Sequence, residues 1–517
     1  MEEYRKLAHE ELGRGVFDLL VIGGGIVGSR VALDAARAGL RVALVDAGDF
    51  GGATSSASAR LVHGGLRYLG TGGARLVRAA LRERDMLSSR IAPHLVRPLP
   101  FVLSVAGGRR ERRRCAAGLL AYAALDGFRG PLPRFVTQEN AALLVPQLLF
   151  GNLTSHVLFH EAETNDSRLT LATVTSAART GAVVANYLRA VELDLRPRGT
   201  TRVSLQGTGG EVDLRCRAVV NATGPWMDSI RRMEDPGCTP IARLSKGVHV
   251  VLEQGERWRA AVAISLRGGR HLYAVPCEGV VILGTTDEEY DGDPSCVSAE
   301  PADVSYLLNS ATEFLHPEML RAECVISAFA GLRVLPLGEE VVLRANREHI
   351  LSVGPGGMVS VAGGKLTTHR RIALDALRHL PGTVRPRRLS LSGVPLHDAN
   401  SARLDDPPCR LDGAVLDHLL RLYGGETGRL LEYSAENSDA LRQIAPGAPD
   451  LWAQVYHAAH AEWAVTAEDV IYRRTTLGLR GFDTPEVRRK VSATLEHRTG
   501  VENPPPEFMR HPLQTVE

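Results

Sequence analysis

Short apolar runs alternating with helix-spaced apolar positions dominate the start of the chain. Phe17–Ile22 is a mostly apolar run of strand length and reads as a buried strand. Val27, Val31, Ala35 and Ala38 then recur at helical spacing, and Gly39 stops the pattern. Arg41–Val45 is a second apolar strand, ended by Asp46. Ala218–Val220 and Val359–Val361 have the same strand character much further along. Runs such as Leu272–Val275 and Val280–Leu283 predict an antiparallel sheet. The Pro- and Arg-rich stretch 381–395 reads as a linker. Beyond it, Val415–Tyr423 and Trp452–Ala461 carry helical periodicity, and Thr466–Asp469 fits a capping box.

The turn after the first strand is Gly23-Gly24-Gly25-Ile26-Val27-Gly28, a G-x-G-x-x-G. Gly23 permits the tight turn, Gly25 lets backbone N–H groups approach a pyrophosphate, and Gly28 allows close helix–strand packing. The helix N-terminus would face the phosphates with its partial positive charge. Asp46, 18 residues after Gly28, would accept ribose hydroxyls. Strand, helix, strand and acidic residue in this order indicate a dinucleotide site, but FAD and NAD share the half of the molecule that this motif reads. The hydroxyl-rich run Thr54-Ser55-Ser56 suits a loop near a phosphate or flavin. Gly224 follows one later strand, and Gly364-Lys365-Leu366-Thr367 follows another. These spaced strand ends suit an extended cofactor threaded through a discontinuous domain, although each could be a simple turn.

Composition narrows the class. The 517 residues exceed one ordinary domain, and 44% are hydrophobic, enough for large cores. A net charge of +2 gives no reason to expect nucleic acid. The seven cysteines contain no CxxC pair, so neither a zinc site nor an iron–sulfur cluster is expected, and no metal is assigned. The odd, scattered set suits a reducing compartment. Residues 1–16 lack a signal-peptide core, and the two uncharged stretches 115–125 and 140–160 do not read as transmembrane helices.

Several segments together resemble the FAD-dependent glycerol-3-phosphate dehydrogenases. They begin with Ala53–Leu69, which contains His63-Gly64-Gly65-Leu66-Arg67-Tyr68. They continue through Asn165–Leu171, Asn221–Trp226, Leu244–His249, Leu283–Asp287, Ala330–Arg333, Gly363–Thr368 and Asp469–Gly478. The order holds over roughly residues 17–480. In one departure, Val334 stands after Arg333 where the family has proline, and the segment to Arg347 is short. The resemblance implies an α/β fold: a Rossmann-type FAD-binding domain (17–80, 163–240 and 345–385), an antiparallel-sheet substrate domain (81–162 and 241–344) and a helical C-terminal domain (395–517). It implies noncovalent FAD, glycerol 3-phosphate as substrate and a quinone as electron acceptor. It also implies attachment to the cytoplasmic face of a membrane; a homodimer is left open.

Around the substrate the resemblance places Arg67, Tyr68, Arg333 and Lys365, with Arg347 less securely aligned. A phosphate dianion needs cations, and arginine's planar fork matches its oxygens bidentately. His249 and His63 are the candidates for the base that takes the alcohol proton, and an arginine could instead stabilise the developing alkoxide. The rival readings are an amine or amino-acid oxidase on the same fold and a flavin-binding regulatory protein without turnover. A surface expectation completes the set: Arg109-Arg110-Glu111-Arg112-Arg113-Arg114, followed by the uncharged stretch 115–125, suits an anionic lipid surface. Its rival is a solvated helix packed on the core through its leucines.

Overall fold

A parallel sheet is the natural home of strands that are apolar on both faces. In the computed structural model, β1 (Leu19–Ile22) and β2 (Val42–Val45) are fully buried and pair in parallel. The structure describes residues 2–66, 69, 73–106, 108–151, 153–196, 199–207, 209–265, 271–337, 349–384, 386–387, 393–399, 411–499 and 513–514. The sheet has six strands in the order His349–Val353, Val359–Gly363, Val219–Asn221, β1, β2 and Val183–Ala185. All pairings are parallel except the hairpin at one edge, which joins 349–353 to 359–363. Strands from three separated stretches of chain thus meet in one layer.

The N-terminal segment forms a helix, α1 (Glu2–Leu12), which the charge pattern had not suggested. Its Ala8 and Leu12 pack with Phe17, Leu20 and Val45 on the sheet. The fingerprint helix is α2 (Ile26–Arg37). Its apolar face packs with the helices Asp166–Arg179 and His369–Arg378 over the same sheet. Gly39, at φ +81°, takes the left-handed turn that ends α2, a conformation glycine adopts without a Cβ penalty.

A second sheet of eleven strands carries the other half of the molecule. Its centre is the long antiparallel pair Ala242–Glu253 and Val325–Pro336, flanked by Val280–Gly284 and His271–Cys277. The strand Ala261–Ser265 pairs in parallel with Arg97–Ala106, so the sheet is mixed rather than wholly antiparallel. Leu61–Val62, which sequence reading had grouped with the FAD-binding pieces, pairs with Leu153–Glu163 in this larger sheet. The two sheets therefore join close to the loop that follows β2. The C-terminal region is helical, with helices Gly413–Tyr423, Thr427–Glu436, Trp452–Ala461 and Pro485–Thr499.

Candidate active site

One large cavity, about 2410 Å³, runs from the end of β1 to the surface of the second sheet. Drug-sized ligands occupy roughly 300–1,000 Å³. This space is therefore ample for an extended cofactor and a small substrate together.

At its first end lies the glycine turn. Gly23 has φ +106°, and a Cβ there would stand 2.6 Å from the Ala222 carbonyl oxygen. Gly25 precedes α2, makes no side-chain cap and faces the cavity. Gly28 does not line the cavity; a Cβ on it would lie 1.9 Å from the Gly23 carbonyl oxygen, so it acts through packing alone. Asp46 accepts N–H bonds from Gly24 (2.6 Å) and Gly48 (2.9 Å). Burial raises its carboxyl to about 6 despite those two bonds.

The hydroxyl run divides into distinct jobs. Ser55 Oγ accepts from the Ile26 N–H (3.0 Å), at the first turn of α2. Thr54 donates to the Leu332 carbonyl (2.8 Å), tying the loop to the second sheet. Ser56 corrects the expectation that it faces the cofactor. It is buried, its hydroxyl bonds the Ala53 carbonyl within its own 3-10 turn, and it does not line the cavity. Thr367 has a second, structural job. Its hydroxyl is engaged with both backbone groups of His63, accepting from the N–H (3.0 Å) and donating to the carbonyl (3.2 Å). It holds the His63 loop and lines the cavity together with Gly364, Lys365 and Leu366. Gly224, at φ +56°, lines the opposite side.

At the far end the second sheet supplies the charged chemistry. Alternation along the strand Ala242–Glu253 puts Ser245, Gly247 and His249 on one face. Arg333 sits opposite Ser245, and its guanidinium lies over Gly247, where a Cβ would come within 2.4 Å of it. Only glycine leaves room for that fork. Nη2 donates to Thr285 Oγ1 (2.8 Å) and to the Thr286 carbonyl (3.1 Å), while Nη1 reaches Ser245 Oγ (3.4 Å) and Asp287 (3.5 Å). The side chain remains 36% exposed, toward the cavity it lines.

His249 also lines the cavity and is 4% exposed. Its ring stacks on Phe329 at 5.0 Å, and Gly284 leaves space for its edge. Neither ring nitrogen has a hydrogen-bond partner among the described residues. Burial, and secondarily the Arg333 charge, lowers its pKa to about 3, so the imidazole is neutral. A buried polar group without a partner is costly, which makes this ring a marked feature of the cavity. His63 lines the cavity too, on the loop that Thr367 holds. Arg67, Tyr68 and Arg347 lie outside the described residues.

Sequence reading missed the residues that orient Arg333. Ser245, Thr285, Thr286 and Asp287 all stand inside motifs already singled out, so their hydroxyls and carboxylate could have been proposed as its partners. It also missed Asp49, buried against Arg473 and Arg474 of the C-terminal region. No local signal pairs residues more than 420 positions apart.

The glycine cradle, the carboxylate beside it and the length of the cavity fit FAD. Residues 18–370 match the family described as FAD dependent oxidoreductase, and residues 384–502 match the C-terminal domain of alpha-glycerophosphate oxidase. The chain is 36% identical over 492 residues to a glycerol-3-phosphate dehydrogenase of Mycobacterium leprae, covering 92% of this chain and 84% of that protein. It is 31% identical to the mitochondrial glycerol-3-phosphate dehydrogenase of Homo sapiens, over 91% of this chain and 68% of the relative. A crystal structure of the glycerol-3-phosphate dehydrogenase from Bacillus halodurans complexed with FAD superposes with a TM-score of 0.75. Its identity to this chain is 26%, with 96% of this chain and 97% of that one covered. Glycine oxidase from Geobacillus kaustophilus, 20% identical with a TM-score of 0.54, covers only 73% of this chain and shows a shared fold alone. The chain therefore belongs to the FAD dependent oxidoreductases and, within them, to the glycerol-3-phosphate dehydrogenases, with FAD as its cofactor.

Proposed function

We propose that the enzyme oxidises sn-glycerol 3-phosphate to dihydroxyacetone phosphate and passes the electrons to a membrane quinone. The observation that carries this reading is the Arg333 fork lying beside a buried, neutral His249 whose two ring nitrogens have no hydrogen-bond partner among the described residues. Arg333 binds the substrate phosphate, with Lys365, Arg67, Tyr68 and Arg347 as further contacts. Thr285 and Ser245 fix its orientation before substrate arrives, which reduces the ordering cost of binding. When bound, noncovalently in this reading, the flavin supplies the acceptor for the hydride on substrate C2.

His249 takes the proton of the C2 hydroxyl on a free ring nitrogen. A base held at about 3 is weak. A phosphate dianion on Arg333 counters the cationic part of that depression, so substrate strengthens its own base. Gly25 and the N-terminus of α2 would hold the pyrophosphate of FAD, Asp46 would accept hydrogen bonds from its ribose hydroxyls, and Gly224 and Gly364–Leu366 would line the space for its ring system. The test is substitution of His249 by Asn, which should lower kcat severely and leave flavin content unchanged; wild-type kcat in that variant would remove His249 from the chemistry.

A lipid-soluble acceptor requires the enzyme to meet a membrane. No helix among the described residues is long and apolar enough to cross one. The helix Arg109–Leu125 instead offers a peripheral contact at the cytoplasmic face. It anchors to the protein through buried Leu119 and Tyr122, while Leu120 stays 56% exposed. Twelve large apolar side chains are exposed among the described residues, and five of them fall between Leu120 and Leu143. That concentration, beside an arginine run, matches an interface that holds anionic headgroups and buries apolar tips.

A further inference from the structure

The loop after β2 carries two acids with different partners. Asp46 lies on the cavity wall beside the glycine turn. Asp49, three residues on, is 4% exposed and reaches into the C-terminal region. Both oxygens are gripped there. Oδ1 accepts from Arg474 Nη2 (2.8 Å) and from Asn186 Nδ2 (3.0 Å), and Oδ2 accepts from Arg474 Nη1 and Arg473 Nε. Arg474 is fully buried and Arg473 nearly so. The contact has a second, apolar component: Phe50 meets Trp463 edge to face at 5.6 Å, and Asn186 also donates to the Trp463 carbonyl (2.9 Å). The loop is closed internally by Gly51 N–H to the Gly24 carbonyl (3.1 Å), which couples it directly to the glycine turn. Arg473 and Glu468, from the C-terminal region, themselves line the cavity.

We propose that the C-terminal helical domain is part of the cofactor site: by gripping Asp49 through Arg473 and Arg474, it holds the 46–52 loop in the conformation that binds the adenosine end of FAD. The physical case rests on an asymmetry. A surface ion pair contributes little, whereas a buried carboxylate left without its cations is strongly destabilised. With the clamp weakened, Asp49 must find water, and the cavity, which it already lines, is beside it. The loop would then turn an acid toward the cofactor's phosphates and displace Asp46. Arg473 and Arg474 are therefore positioning residues, acting on FAD through Asp49. The proposal rests on the FAD site and not on the choice of substrate. Wild-type protein that binds FAD yet is not reduced by glycerol 3-phosphate would sink the substrate assignment and leave this inference standing.

The experiment is a titration of full-length protein with FAD, read by quenching of flavin fluorescence, which needs no turnover. Arg474→Lys keeps the charge and loses the fork. It is expected to raise the FAD dissociation constant roughly tenfold to a hundredfold with one site per chain retained, the scale of a charged hydrogen bond. Asn186→Ala removes a neutral bridge from the same loop and is expected to raise it about two- to tenfold. Damage to the fold alone would lower the number of sites and leave the dissociation constant of the folded fraction at the wild-type value, and that result would overturn the proposal. Wild-type protein supplies a check free of any variant. Binding is reciprocal, so FAD should slow amide hydrogen exchange in 469–474. Exchange there that ignores FAD would overturn the proposal as well.

Discussion

In the proposed function substrate recognition turns on Arg333, whose fork is already oriented by Thr285, Thr286 and Ser245. Arg333→Lys keeps a positive charge but cannot reproduce two parallel donors. Losing one charge-assisted bond costs about 1.5–3 kcal/mol, so kcat/KM for glycerol 3-phosphate should fall roughly 10- to 150-fold with flavin content unchanged. A variant with wild-type kcat/KM would move the phosphate elsewhere. Asp46 predicts a pH dependence of cofactor binding. Its folded value, about 6, stands above that of a free carboxyl. The stability that its protonated form gives the cofactor-free fold is therefore present in full below about 4 and is lost as pH rises to about 6. Ribose hydroxyls favour the ionised form, so FAD affinity should rise as pH climbs toward about 6, by at most about tenfold per unit for one proton, and level off above it. Asp46→Asn should flatten that rise, as fluorescence titrations at several pH values would show. His249 has the opposite sign of dependence on acid. Its value lies below that of free histidine, so the stability it contributes is present above about 6.5 and is lost as pH falls toward about 3.

At the scale of elements, the strand–glycine–helix unit was legible because its chemistry is local. Gly23, Gly25 and Gly28 follow one another within six residues, and the structure gives each a separate reason: Gly23 passes against Ala222, Gly25 opens beside Ser55 and Gly28 packs on Gly23. Gly25→Val should abolish FAD binding while the protein still folds, since its side chain would project toward the cavity beside Ser55. A yellow Gly25→Val protein would contradict the placement of the pyrophosphate. Gly28→Val should instead fail to fold, since its Cβ would meet the Gly23 carbonyl. The hydroxyl run was legible as a loop near the cofactor but not in detail. Thr54, Ser55 and Ser56 are consecutive and chemically alike, yet one bonds a distant strand, one caps α2 and one closes its own turn. Side-chain direction in such a turn is set by tertiary partners, which sequence does not show. The arginines that hold Asp49 were illegible for the same reason, although Arg473 and Arg474 sat in a segment already noted.

Taken whole, the two larger sheets and the helical region meet around one large cavity, and in the proposed reading cofactor and substrate chemistry come from its opposite walls. Its outer surface carries the other expectation. Replacing Arg109, Arg110, Arg112, Arg113 and Arg114 by glutamine should reduce co-sedimentation with anionic vesicles, and wild-type binding should weaken as salt screens the headgroups. Equal binding by both proteins would clear the helix Arg109–Leu125 of this role. Cation–π contact of Arg112 with Phe135, at 4.3 Å, places basic and apolar side chains on one contiguous surface, which is why both should matter. The most direct test of the central claim is anaerobic. Glycerol 3-phosphate added to the purified yellow protein without oxygen or quinone should bleach the flavin absorbance, one equivalent of substrate per flavin, and yield dihydroxyacetone phosphate. Flavin that stays oxidised with glycerol 3-phosphate, or that bleaches instead with an amino acid, would contradict the account.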